Sequence, residues 1–214
     1  MLSYIAGIDE AGRGCVIGPL VVCSAYCSRD DEKKLKKLCK KDSKQLSPKK
    51  REEIYAQLKP FCSFKWIEIS AADLNQMMKE MSLNDIEAKA MADLSRYIRE
   101  GDLMIDMPDR YSWTFRKRMD KFGSGKFEAE HKADETYPIV AAASICAKLV
   151  RDAKIEKIRQ EVGDFGSGYP SDQKTITALK DVEMRKKLTP FVRERWKTLE
   201  NLKQKKLFEG ESEA

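Results

Sequence analysis

Histidine is almost missing from this chain. One residue of 214, His131, carries an imidazole. That excludes metal sites built from several histidines and leaves a Ser-His-Asp triad without support, since a lone histidine beside Lys132 and Asp134 is already explained as a partner for a helix terminus. Long hydrophobic runs are missing too. No apolar stretch reaches the roughly 18 residues that a membrane helix needs, and the start lacks a charged segment followed by an apolar one and a cleavage site. No membrane partner and a cytoplasmic location are therefore expected. The six cysteines (Cys15, Cys23, Cys27, Cys39, Cys62, Cys146) are scattered in apolar contexts. Cys23 and Cys27 could share a strand face, but no second pair completes a zinc site or a disulfide framework. Nucleotide loops are not matched either. Gly7 and Gly12 have the spacing of a phosphate loop but continue into Arg13-Gly14 instead of Lys-Ser/Thr, and Gly12, Gly14 and Gly18 miss the dinucleotide spacing by one residue. No internal repeat is visible.

What the chain does have is charge, unevenly laid out. Its 41 Lys/Arg against 35 Asp/Glu give a net charge of +6. The basic residues crowd into Lys33–Arg51, where Asp42 is the only acid, and Arg185–Lys206, where Glu194 and Glu200 are the only acids. The remainder is net acidic. Two basic blocks around an acidic middle suit a polyanion gripped at its edges and cut at a carboxylate centre; two solvated lysine-rich helix faces fit the charge count alone as well.

The pattern of apolar residues predicts an α/β fold. A first strand ends at Ile8, directly before Asp9-Glu10, and Val16–Tyr26 returns as its hairpin partner. A charged helix over 30–41 and a second from Ser47-Pro48 to about Leu58 lead to a strand over Phe61–Ser70. Helices broken near Met81-Ser82 follow. Leu103–Asp106 is a short strand that, like the first, terminates in a carboxylate. A helix over 111–121 and a short strand Lys126–Glu130 precede the polar cluster His131–Glu135 and a long helix from Pro138 whose Val140–Ser144 stretch is poor in bulk. Beyond the loop over 163–173 come a helix Thr175–Lys187 and another after Pro190 with Val192, Trp196, Leu199 and Leu202 on one face. The expected domains are 1–180 and a C-terminal helical extension over 181–214 with a frayed tail.

Three segments thus offer acids at strand ends or a helix start: Asp9-Glu10, Asp106 and Asp134. Buried carboxylates cost several kcal/mol unless they are paired or bind a cation. Metal-assisted phosphodiester hydrolysis needs such a set, because hard cations take oxygen ligands and two of them clamp the attacking and leaving oxygens. Adjacent strand residues face opposite ways, so Asp9 and Glu10 reach one metal only if the strand breaks there, which Ala11-Gly12 would do. Read singly, Asp9-Glu10 fits a solvated acidic turn equally well, and Asp134 fits an acid at a helix N-terminus. A catalytically silent nucleic-acid-binding module is the rival reading; four acids would repel phosphate without metal, and pure binding does not require them.

In combination the motifs resemble ribonuclease HII, the type 2 ribonuclease H family. They are Asp9-Glu10-Ala11-Gly12-Arg13-Gly14, Asp42-Ser43-Lys44, His131-Lys132-Ala133-Asp134 with Tyr137-Pro138 and Val140 to Lys148, and Gly166-Ser167-Gly168-Tyr169-Pro170-Ser171-Asp172. The resemblance runs from residue 5 to about 177 and is to the archaeal, single-chain form, with Gln173 a departure where proline is usual. It implies a ribonuclease H-like fold, a central mixed β-sheet flanked by helices with a C-terminal helical extension. It implies Mg²⁺- or Mn²⁺-dependent endonucleolytic hydrolysis of the RNA strand of RNA/DNA hybrids, and incision 5′ of ribonucleotides embedded in duplex DNA. In that resemblance Asp9, Glu10, Asp106 and Asp134 are the metal-binding catalytic acids. Gly12, Arg13 and Gly14 sense the 2′-hydroxyl, Tyr169 stacks at the RNA-to-DNA junction and Lys44 contacts phosphate. A monomer is expected. Gln204-Lys205-Lys206-Leu207-Phe208 faintly resembles a sliding-clamp-binding motif, without the paired aromatics further on.

Overall fold

β1 (Tyr4–Ala11) is buried at nearly every residue, the signature of a strand covered on both faces. In the computed structural model, which describes residues 3–39, 46–98 and 100–202, it takes the middle of a five-stranded sheet. The others are β2 (Leu20–Ser28), β3 (Cys62–Ile69), β4 (Asp102–Asp106) and β5 (Glu128–Glu130), in the order β3-β2-β1-β4-β5. β1 pairs antiparallel with β2, from Tyr4 opposite Ser28 to Ala11 opposite Val21. It pairs parallel with β4, from Ile5 beside Asp102 to Ile8 beside Ile105, and β4 pairs parallel with β5. The sheet is therefore mixed, as the sequence led us to expect.

Helices accompany it: α1 (Glu32–Leu38), α2 (Pro48–Leu58), α3 (Ala71–Met77), α4 (Leu83–Ser95), α5 (Ser112–Lys121), α6 (Ala133–Thr136), α7 (Pro138–Val162), α8 (Gln173–Lys180) and α9 (Val182–Leu188). The predicted starts hold where a cap fixes them. Ser47 accepts from the Lys50 amide with Pro48 in the first turn of α2, and Ser82 accepts from the Asp85 amide ahead of α4. Each such cap contributes about 1 kcal/mol.

Three boundaries differ from expectation. β2 begins at Leu20 rather than Val16, because Pro19 has no amide to give the ladder; the amides of Val16 and Ile17 both donate to the Gly168 carbonyl instead. The helix expected over Thr175–Lys187 is two. Asp181 turns extended (φ −65°, ψ 128°) and its side chain accepts from the Met184 amide, ending α8 and capping α9. After Pro190, Val192 forms an isolated bridge with Ile17, and helix resumes only over 197–202. Val192 therefore leaves the helical stripe it was assigned to.

The chain folds as two compact units that interleave in sequence. The first comprises Met1–Ala11, Val21–Glu68 and Met81–Val150; the second comprises Gly12–Leu20, Ile69–Glu80 and Arg151–Ala214. The first has a core of Leu35, Leu58, Cys27, Cys62 and the run Ile139 to Ala143. There the bulk-poor start of α7 lies directly on β1: a Cβ on Gly7 would sit 2.6 Å from the Ile139 carbonyl carbon and the Val140 nitrogen. The second unit packs Val16, Ile17, Ile155, Val162, Phe165, Leu179 and Leu188, joined by Trp196, Leu199 and Leu202. All six cysteines are buried free thiols.

Candidate active site

The first unit gathers three of the predicted acids. Ile8 and Ile105 are register partners in the parallel pair, so Asp9 and Asp106, the next residue of each strand, emerge together at the carboxyl ends. Asp134 arrives from α6. The turn ahead of it is made by Lys132 in the left-handed region (φ 57°), and the Ala133 amide donates to Asp106 Oδ1 at 2.9 Å. One carboxylate oxygen from each of Asp9, Asp106 and Asp134 lies within 4.8 Å of the other two. Asp9 and Asp134 are each 3% exposed, so little water screens the repulsion.

Asp9 shows the cost. Its carboxyl is raised from the usual 3.8 to about 7, first by burial and then by the charges of Asp106 and Asp134; Lys148 and a hydrogen bond from Ser144 pull the other way. Lys148 Nζ in turn donates to Ser144 Oγ at 2.5 Å. A folded group that holds its proton up to pH 7 while the unfolded one releases it near pH 4 makes folding proton-uptaking between those limits. Without metal, Asp9's contribution to stability should therefore fall as pH rises from about 4 to about 7 and level off above. Urea midpoints measured in a chelator across that range should decline, and Asp9→Asn should flatten the decline; an equally steep slope in the variant would remove Asp9 as its source.

A donor set of three clustered carboxylate oxygens, one of them raised by burial and then by its acidic neighbours, fits a hard divalent cation. Glu10 follows Asp9 directly on β1. The strand continues through Glu10, paired opposite Val22, to Ala11, paired opposite Val21. Its amide donates to Asp9 Oδ1 at 2.7 Å.

The remaining predicted residues lie in the second unit, except Lys44, which is outside the described residues. Gly12 is buried in the left-handed region (φ 84°), where a Cβ would meet the Pro19 carbonyl oxygen at 2.6 Å; only glycine suits it. The Arg13 carbonyl accepts from Arg193 Nη1 at 3.1 Å. Gly14 is exposed, with nothing within 4 Å of its would-be Cβ. Tyr169 is half-buried, its ring 4.6 Å from the Arg151 guanidinium, and its hydroxyl donates to the Cys15 sulfur. Burial pushes that hydroxyl up to about 12. Arg151 Nη2 donates to the Ser167 carbonyl at 2.5 Å.

Sequence reasoning gave no role to Ser144, Lys148, Arg151 or Arg193. The first two carried a signal, a serine and a lysine four apart on an otherwise apolar helix, hence on one face. Arg193 carried the opposite signal. It was counted in a basic block, yet it is fully buried, donates through Nε to the Gly18 carbonyl at 2.9 Å, and is lowered to about 10, chiefly by that burial.

Comparison with known proteins agrees. The family model described as Ribonuclease HII matches residues 6–199. The ribonuclease HII of Archaeoglobus fulgidus is 42% identical over 202 residues, covering 94% of this chain and 98% of that one. The solved complex of PCNA with RNase HII from the same organism superposes with a TM-score of 0.82 at 40% identity, covering 92% and 96% of the two chains. Ribonuclease H2 of Pyrococcus horikoshii gives 0.81 at 36% identity, covering 94% and 98%. The fold is ribonuclease H-like, and the chain belongs to the ribonuclease HII family of endoribonucleases.

Proposed function

We propose that this endonuclease hydrolyses the RNA strand of RNA/DNA hybrids and incises on the 5′ side of ribonucleotides embedded in duplex DNA, leaving 3′-hydroxyl and 5′-phosphate ends. The observation that carries the reading is the trio of carboxylate oxygens within 4.8 Å of one another in a member of this family. Asp9, Asp106 and Asp134, with Glu10 as the fourth acid, would hold Mg²⁺ or Mn²⁺ in a two-metal arrangement. The bound cations supply a nucleophilic water and charge stabilisation on the leaving oxygen. The chain's own part is positional: Ser144 orients the Asp9 carboxylate, the Ala133 amide fixes Asp106, and Lys148 offsets the acid charge until a cation binds.

Recognition of the ribonucleotide falls to Gly12-Arg13-Gly14, through the backbone, and to Tyr169, with Lys44 on a phosphate. The 2′-hydroxyl is the local feature that distinguishes RNA from DNA. Two features support the assignment: Gly14 presents bare backbone with open space before it, and the Tyr169 ring is held against Arg151. Tyr169→Ala should lower incision at a single embedded ribonucleotide by about tenfold or more, the value of one lost stacking contact. Equal activity on that duplex would take Tyr169 out of the site. Gly14→Ala meets no atom of the protein, so it should fold normally and still incise poorly; a normal rate would free Gly14 of the role.

We place the enzyme in the cytoplasm, acting as a monomer in ribonucleotide excision repair. No helix among the described residues is long and apolar enough to cross a membrane. A sliding clamp would recruit it, by analogy with the relative seen with PCNA; the segment Gln204–Phe208 that would engage it lies outside the described residues.

A further inference from the structure

Two large rings on the segment leaving Asp106 stand in water: Tyr111 is 52% exposed and Trp113 is 68% exposed. They are nearly parallel, 21° between planes, with centroids 6.4 Å apart. The Arg110 guanidinium lies 5.3 Å from the Tyr111 ring. Phe115 and Met119 fill the buried side of α5, so Trp113 and Lys117, one helical turn apart, share its solvent side. The same segment is tied to the turn that delivers Asp134, since His131 Nε2 lies 3.3 Å from the Arg110 carbonyl oxygen.

Single exposed aromatics are ordinary. Tyr97 is one, and Lys65 covers it at 2.8 Å. A parallel pair with a guanidinium beside it, carried on the segment that follows Asp106, is different, because the fold gains nothing from leaving both rings exposed. Flat apolar faces with positive charge alongside are what proteins offer to unpaired bases, whose π faces stack on them whatever the sequence.

We propose that Tyr111 and Trp113 form a stacking platform for unpaired bases of a single strand that continues the duplex being cut, with Arg110 and Lys117 beside its phosphates. The proposal rests on the nuclease reading above. It gives the enzyme a preference for hybrids that end in a single-stranded overhang, such as a displaced or unfilled strand.

The test compares a blunt RNA/DNA hybrid, the same hybrid with an oligodeoxyadenylate overhang at either end in turn, and one with an abasic overhang of equal length, by fluorescence anisotropy in chelator. The wild-type protein should bind one adenylate-overhang hybrid about tenfold tighter than the blunt one, and the abasic overhang should lose that advantage while keeping its charge. Y111A/W113A should bind overhang and blunt hybrids alike. An advantage that survives in the double variant or on the abasic strand, or no advantage in the wild type, overturns the platform, and a protein partner becomes the better account of the rings. Cleavage of the blunt hybrid in Mg²⁺ by the same wild-type preparation separates the two ideas. Normal cleavage without an overhang effect defeats the platform alone, whereas no cleavage defeats the nuclease reading and the platform with it.

Discussion

Asp134→Ala is expected to abolish Mg²⁺-dependent cleavage of a duplex holding one ribonucleotide, a loss on the order of a thousandfold or more, while hybrid binding survives. Binding and cutting separate because the three clustered acids do opposite things to a phosphate strand: without a cation they repel it, and with one they position the charge that cleaves it. Removing one carboxylate leaves the repulsion smaller, so affinity in chelator should hold or improve slightly. Folding should hold too. Asp134 is one of the charges that push Asp9 upward, and its loss relieves a buried like-charge contact. A thermal midpoint equal to or above the wild type in chelator, together with lost cleavage, identifies a functional residue. Undiminished cleavage would sink the assignment.

Gly7→Ala should strongly destabilise the first unit. The new Cβ would lie 2.6 Å from the backbone of Ile139 and Val140. Backbone in the first turn of a long helix has no rotamer to retreat into, so either α7 lifts off β1 or the strand bows. Overpacking of this kind costs about 3 kcal/mol or more, and in a chain of this size that lowers the melting temperature by roughly 6–12 °C. A second effect follows from where the contact sits. Ser144 and Lys148 ride on the same helix and fix Asp9, so lifting α7 loosens the acid site as well. Cleavage at low temperature should fall further than the folded fraction does. A variant with unchanged melting temperature would show that the strand and helix are not pressed together at Gly7.

The strand ends were readable because an apolar run that stops at a carboxylate is expensive unless that charge is used, and Asp9 and Asp106 both have that form. Asp134 was readable only in company: alone, an acid in the first turn of a helix is ordinary. Where the reading stopped short, a three-dimensional direction was at stake. The split at Asp181 turns on a single extended residue inside a run of good helix formers. Arg193 looks in sequence like its neighbours in a basic block, and nothing in its letters says that its guanidinium would be spent on the carbonyls of Gly18 and Arg13.

The parallel pairing of β1 with β4 has a consequence in time. Once Asp9 has left the ribosome, the strand that carries Asp106 follows only after roughly a hundred more residues, and closing so long a loop is slow compared with forming a hairpin. Asp134 comes later still. A nascent chain thus displays Asp9 long before it can assemble the three acids, and the growing polypeptide stays harmless to the RNA around it until Asp134 has followed.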